Sequence, residues 1–235
     1  MLCVLGWHDA DRGCQVRNNV TRSIPQIRMS ASFLAAAALR VADHKAFGDA
    51  KPTRTPPIVL FVRHGQSMHN ISSVAAHGDQ GELAELYDAP LSPLGEQQVA
   101  ALAGHPELAT AELAVVSPLS RAVQTLLGAY PDAGSRRASP SCPPVEVWPT
   151  MAEHLTDSCD IGTGSNELAT HFPSFDWSVL PEVWWYTDDE TSTIDANDSR
   201  VRYREAGFME PELRLRGRVD AFVDALYARP EYAHS

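Results

Sequence analysis

Ile58–Val62 constrains this chain more than any other stretch. It is five apolar residues in a row, cut off by the polar break Arg63-His64-Gly65. A strand that is apolar on both faces belongs in the middle of a sheet covered by helices, the setting of parallel strands. In such sheets, ligand sites gather at the carboxyl ends of the strands, where Arg63 and His64 fall. Further along, Ser92-Pro93 has the form of a helix N-cap followed by a first-turn proline. Leu113–Val116 reads as a second buried strand. Residues 119–130 read as a helix with Leu119, Val123, Leu126 and Leu127 on one side, and Val145–Trp148 as a short third strand. Strand and helix alternate, so the expected class is α/β. Residues 155–210 are less regular and are expected to form an insertion or lid, with Trp184, Trp185 and Tyr186 lining a substrate entrance or packing in the core. Glu212–Tyr227 is expected to be an amphipathic helix with Leu215, Val219, Phe222, Val223 and Leu226 on one face.

Charge narrows the function classes. The chain has 235 residues and a net charge of −11, but the charge is uneven. Residues 1–56 hold eight basic and four acidic side chains, leaving −15 on residues 57–235. So acidic a folded part disfavours nucleic acid and anionic membrane surfaces as partners, and no run of about 18 apolar residues offers a membrane span. Residues 1–56 are expected to be a disordered extension ending in the Pro-rich linker GDAKPTRTPP, with residues 29–45 helix-favouring and the fold beginning at Pro57. An organelle-targeting segment is the other reading, with Asp9 and Asp11 against it, and Met29 is an alternative start. The expected location is the cytoplasm, or a plastid or mitochondrion if residues 1–56 are a transit peptide. The four cysteines have no metal-ligand spacing and are expected to be free thiols.

The string VRHGQSMHN, residues 62–70, carries the chemistry. His64 follows a buried strand, so its backbone is rigid, and a neutral imidazole nitrogen is a competent nucleophile near neutral pH. Arg63 can grip a phosphate with parallel hydrogen bonds, Gly65 allows close backbone approach, and the Asn70 amide can donate to an anionic oxygen. Only four basic residues lie between 57 and 199, namely Arg63, Arg121, Arg136 and Arg137. In so acidic a stretch, an arginine is expected to make a surface pair or to have a specific job.

The string resembles the N-terminal signature of the histidine phosphatase superfamily, which includes cofactor-dependent phosphoglycerate mutase. VVSPLSRAVQT (115–125) is similar to the family's second motif, and WPTMAEHLTDSCDIG (148–162) to the segment bearing its catalytic glutamate. The resemblance implies a three-layer α/β/α sandwich over residues 57–235 and a phosphoric monoester hydrolase, a phosphatase more than a mutase, acting through a phosphohistidine on His64. It implies Glu153 as the proton donor, with Arg63, Asn70 and Arg121 holding the phosphoryl oxygens. No metal or other cofactor is implied, and the expected partner is a small phosphorylated metabolite or a phosphoprotein.

The match breaks at the C-terminus. The family places a second histidine on a last strand beside the one that bears His64. Here the chain ends ARPEYAHS, and His234 lacks both the preceding apolar run and the following glycine. The domain therefore reads as C-terminally incomplete, as a fragment of a longer enzyme or as a catalytically impaired phosphoester-binding relative. An open sheet edge beside the His64 strand, marginal stability and weak activity are expected.

Overall fold

The computed structural model describes residues 2–6, 36–40, 58–75, 86–134, 141–188 and 195–229. Five strands form one sheet: β1 (Leu2–Gly6), β2 (Ala36–Arg40), β3 (Ile58–Val62), β4 (Leu113–Val116) and β5 (Val145–Val147), in the order β2-β3-β1-β4-β5. β4 and β5 are parallel, and β1 is antiparallel to both β3 and β4. β3, β4 and β5 therefore run in the same direction and deliver their carboxyl ends to one edge.

The alternating side chains of these strands feed two cores. Leu60, Val62, Ala114, Val116 and Val147 point to one side, where they meet Val123 and Leu126 of the helix α4 (Ser120–Ala129). Val59, Leu113 and Val115 point to the other, against Phe222 and Leu226 of the helix α7 (Glu212–Tyr227). Helix, sheet and helix make the α/β layering expected from the both-sided apolar run. Trp184 and Trp185 are buried in the first core, and their ring N–H groups donate to the Thr163 carbonyl and the Ser199 hydroxyl, both at 2.9 Å. Of the two readings of this pair, the structure takes the core.

Four expectations need correction. The fold does not begin at Pro57, because β1 and β2 lie upstream of it and are paired in the sheet. The Ala-rich stretch 29–45 contributes a strand: Ala36–Arg40 pairs antiparallel with Ile58–Val62. Local helix preference is a weak bias, and pairing along an edge with unmet backbone donors and acceptors overrides it. The edge expected to stand open beside the His64 strand is covered by β1, whose Leu2 is level with Val62 on one side and Val116 on the other. On α7, Phe222 and Leu226 are buried, but Val219 is 49% exposed, so the inward stripe runs through Arg218, Phe222 and Leu226. The rest of the chain upstream of β3 lies outside the described residues.

The loop after β3 is fixed by close packing against a second segment. Ser67 forms a bridge with Leu91, the Ser92 N–H donates to the Gln66 carbonyl at 2.8 Å, and the Ser92 hydroxyl caps α2 (Pro93–Ala100), accepting from the Gly95 N–H at 3.0 Å. A Cβ on Gly65 would stand 2.6 Å from the Gly95 carbonyl oxygen, and one on Gly95 would collide with the Gln66 carbonyl. Both glycines are there because two backbones touch. α1 (Met68–Ala75) starts from the same loop, where Ser67 and Asn70 cap each other: the Ser67 N–H donates to Asn70 Oδ1 at 3.0 Å, and the Asn70 N–H to Ser67 Oγ at 3.2 Å.

A chain starting at Met29 loses β1 and bares the facing edges of β3 and β4. At about 1 kcal/mol per lost ladder hydrogen bond, the expected outcome is a destabilisation of several kcal/mol and a loss of solubility. Urea unfolding of the full and shortened chains measures this.

Candidate active site

The carboxyl ends of the three parallel strands carry, in order, Arg63-His64, Ser117 and the segment Trp148–Glu153. The His64 side chain is 7% exposed, and its Nδ1 lies 2.7 Å from the Gly65 carbonyl oxygen. A carbonyl can only accept, so Nδ1 carries the proton and Nε2 faces the site. Nε2 lies 3.6 Å from Glu153 Oε2. The same carboxylate oxygen accepts from Arg121 Nη2 at 3.0 Å. Three of the five predicted site residues thus meet as one constellation, although 89 positions separate His64 from Glu153 in the chain.

Arg121 is only 2% exposed. Its charge is met by Glu153, by Asp160 (Nη2 to Oδ1, 2.8 Å) and by the Cys159 carbonyl (Nη1, 2.5 Å). Burial alone works against a charged guanidinium, but the charges around it outweigh that and raise its pKa, so Arg121 stays cationic. Asp160 is itself 5% exposed, and its other oxygen accepts from the Thr156 and Asp157 N–H groups, both at 3.1 Å. It therefore ties Arg121 to the turn that follows Glu153.

The start of α4, which positions Arg121, is set from outside the helix. Ser120 donates its N–H (2.8 Å) and its hydroxyl (2.7 Å) to the two oxygens of Asp88. Asp88 is 4% exposed and has a positive φ of 44°, and its pKa is raised by burial against the pull of the Ser120 hydrogen bonds. A carboxylate at a helix N-terminus meets both the orphan N–H groups and the positive end of the dipole. Thr125 joins the two halves of the site, accepting from the Gly65 N–H at 3.3 Å and donating to the Arg121 carbonyl at 2.8 Å.

Contact with the His64 ring, together with the charge and hydrogen bond of Arg121, holds the Glu153 carboxyl far below its ordinary value, and burial opposes this without overcoming it. Glu153 is therefore ionised near neutral pH. The Cys159 thiol beside it is pushed up to about 12 by burial and by Asp160, so it is a packing group and not a thiolate nucleophile. Cys142 and Cys159 are free thiols, while the side chains of Cys3 and Cys14 lie outside the described residues.

The remaining predicted residues sit around this centre. Arg63 adjoins His64 and is exposed, with no hydrogen bond or ion pair to another described residue. Asn70 turns its side-chain carbonyl to Ser67 and builds the turn into α1. His154 points away from the site, with its Nε2 on the Glu210 carbonyl at 2.7 Å. His69, largely covered, pairs with the exposed carboxylate of Asp157 at 3.4 Å. Asp88 and Asp160 were not singled out from sequence. The signal available for Asp160 was its place in an acidic run close to the glutamate motif, whereas no local signal marks Asp88 as a cap for a helix 32 positions away.

A family model described as the histidine phosphatase superfamily (branch 1) matches residues 59–203. The chain belongs to the histidine phosphatase superfamily. Among curated proteins it is similar to a phosphoglycerate mutase-like protein of Arabidopsis thaliana, with 31% identity over 155 residues, which are 54% of this chain and 57% of the relative. It is also similar to phosphoglycerate mutase-like protein 1 of the same plant, with 29% identity over 52% of each chain. A probable phosphatase of Schizosaccharomyces pombe is 26% identical over 53% of each chain. The chain spans about half the length of these relatives. No solved structure matches it. Family membership agrees with the three motifs, and the superfamily's α/β class agrees with the observed sheet and its helices.

Two outcomes follow for this site. Removing Asp160 (Asp160→Ala) leaves the buried Arg121 charge under-compensated and is expected to cost about 3 kcal/mol, read by urea denaturation. Because the folded-state pKa of Glu153 is depressed, its contribution is present above the ordinary value of 4.5 and is lost as pH falls through the lower folded value. Stability of the native chain should therefore drop more steeply on acidification below 4.5 than that of Glu153→Gln.

Proposed function

We propose that this chain is a phosphoric monoester hydrolase that works through a phosphohistidine on His64, with a small phosphorylated metabolite or a phosphoprotein as substrate. One observation carries the reading: His64 Nε2 faces the Glu153 carboxylate at 3.6 Å while Nδ1–H is anchored on a main-chain carbonyl. That turns a nucleophilic lone pair and a proton carrier toward the same point, and an incoming phosphoryl group takes the place of the carboxylate against Nε2.

In the first step the Nε2 lone pair forms a bond to phosphorus, and the ester P–O bond breaks in line with it. Glu153 gives a proton to the departing oxygen. It must first gain that proton. A phosphoryl oxygen that reaches Arg121 competes with Glu153 for the same guanidinium nitrogen, and the phosphate's own negative charge adds repulsion. Both effects raise the carboxyl pKa from its depressed resting value. In the second step Glu153 takes a proton from water, whose oxygen attacks phosphorus and releases His64. Arg63, exposed beside His64, and Arg121 offset the charge on the equatorial oxygens, and the amide of Asn70 is a further donor in this scheme.

A phosphatase is favoured over a mutase because residues 57–199 hold few extra arginines for a second phosphate. The alternative is a phosphoester-binding relative without turnover. His234 lies outside the described residues. Mixing the chain with a radiolabelled phosphate ester is expected to leave acid-labile, base-stable label that disappears in His64→Ala. Glu153→Gln is expected to slow hydrolysis of alkyl phosphates by about 10²–10⁴-fold. Label that survives in His64→Ala contradicts the nucleophile, and binding of phosphate analogues with no label at all favours the binder.

A further inference from the structure

Glu153 stands on an irregular segment, and its side chain is 44% exposed, so its own packing does not hold it in place. The short 3₁₀ turn Pro149–Met151 ends just before it and leaves main-chain carbonyls without helical partners. These carbonyls are gathered by one side chain from α7. Arg218 donates through Nη1 to the carbonyls of Thr150 (3.1 Å) and Ala152 (2.9 Å), and through Nη2 to that of Glu153 itself (3.4 Å).

The guanidinium is in turn held by Glu210, with Nε to Oε1 at 2.7 Å and Nη2 to Oε2 at 2.6 Å. The Glu210 side chain is 1% exposed. It also binds the segment directly: its carboxylate accepts from the Leu155 N–H (3.4 Å), its N–H donates to the Leu155 carbonyl (2.9 Å), and its carbonyl accepts from His154 Nε2 (2.7 Å). Four residues below Arg218 on the same stripe, Phe222 packs edge-on against Trp148 at 5.7 Å. The segment from Trp148 to Leu155 is therefore clamped to α7 at several points, and none of these groups touches His64 or Arg121 in the structure.

We propose that the Glu210–Arg218 pair is the positioning device of the acid: α7, through Arg218, fixes the main chain at Glu153 so that its carboxylate meets His64 and the leaving oxygen. This rests on the reading of Glu153 as the proton donor. Arg218 suits the task because a planar fork can serve three carbonyls and a carboxylate at once, which a lysine cannot. A displacement of the donor by about 1 Å can cost about 10²-fold in rate. In the step that forms the phosphohistidine, that loss falls only on substrates whose leaving oxygen needs a proton, while the water step that follows is common to all substrates.

The test compares two substrates, p-nitrophenyl phosphate, whose leaving group departs unprotonated, and an alkyl phosphate, whose leaving group does not. Arg218→Met removes the fork. Arg218→Lys keeps the charge opposite Glu210 and serves if the first variant does not fold. Read as kcat/KM, which reports the steps up to formation of the phosphohistidine, the expected result for either folded variant is a loss of about 10–10²-fold on the alkyl ester, with p-nitrophenyl phosphate changed less than about threefold. In Glu153→Gln the added Arg218→Lys change should cost nothing further on the alkyl ester, because the group being positioned is already gone. Amide hydrogen exchange over residues 150–155 should quicken in both Arg218 variants. Equal losses on both substrates, or an additive double variant, mean that Arg218 merely stabilises the fold and overturn the proposal. A native chain that turns over neither ester and takes no label on His64 removes the hydrolase reading and this inference with it.

Discussion

A guanidinium buried to 2% exposure is the constraint around which this site is built. Taking such a charge out of water costs several kcal/mol unless other groups replace the lost solvent. Here the replacements are Glu153, Asp160 and the Cys159 carbonyl, which come from the turn-rich segment after β5. Meeting Arg121 brings that segment to the start of α4. It also brings the Glu153 carboxylate to His64. The same contacts hold Glu153 ionised.

Each partner in this arrangement is itself fixed by a long-range contact. Asp88 caps α4 from a separate segment, Thr125 joins α4 to the Gly65 N–H, and Gly65 and Gly95 let the loop after β3 lie against the start of α2. On the other side of the sheet, α7 reaches the Glu153 segment through Arg218 and Glu210. Both helical layers thus end in a charged group that grips the acid or its neighbours, so the geometry of His64 and Glu153 reports on the packing of the whole sandwich. β1 stands between β3 and β4 and leaves their carboxyl ends at the same edge of the sheet.

The elements legible in the sequence were those whose local pattern and final environment agree. Ile58–Val62 and Leu113–Val116 are apolar on both faces and are central strands, and Ser92-Pro93 caps a helix in the predicted place. The signature around His64 marked a candidate site, because a polar break after a buried strand falls where ligands bind in such sheets. The less legible parts depend on distance. Ala36–Arg40 has helix-favouring composition but pairs as a strand, and Val219 fits a helical face that α7 turns outward so that Arg218 can turn inward. Asp88 and Asp160 look like any surface carboxylates in an acidic chain until Ser120 and Arg121 are placed beside them.

By itself, then, the sequence determined the α/β class and the family, because these follow from short patterns of polarity and from three ordered motifs. Tertiary structure alone decided which strand stands between β3 and β4, which carboxylates share the Arg121 charge and what holds Glu153 in place. The reason is the same in each case. Backbone groups at a sheet edge and a charge out of water must both be satisfied, and the groups that satisfy them are chosen by proximity in space, which residues tens of positions apart do not show.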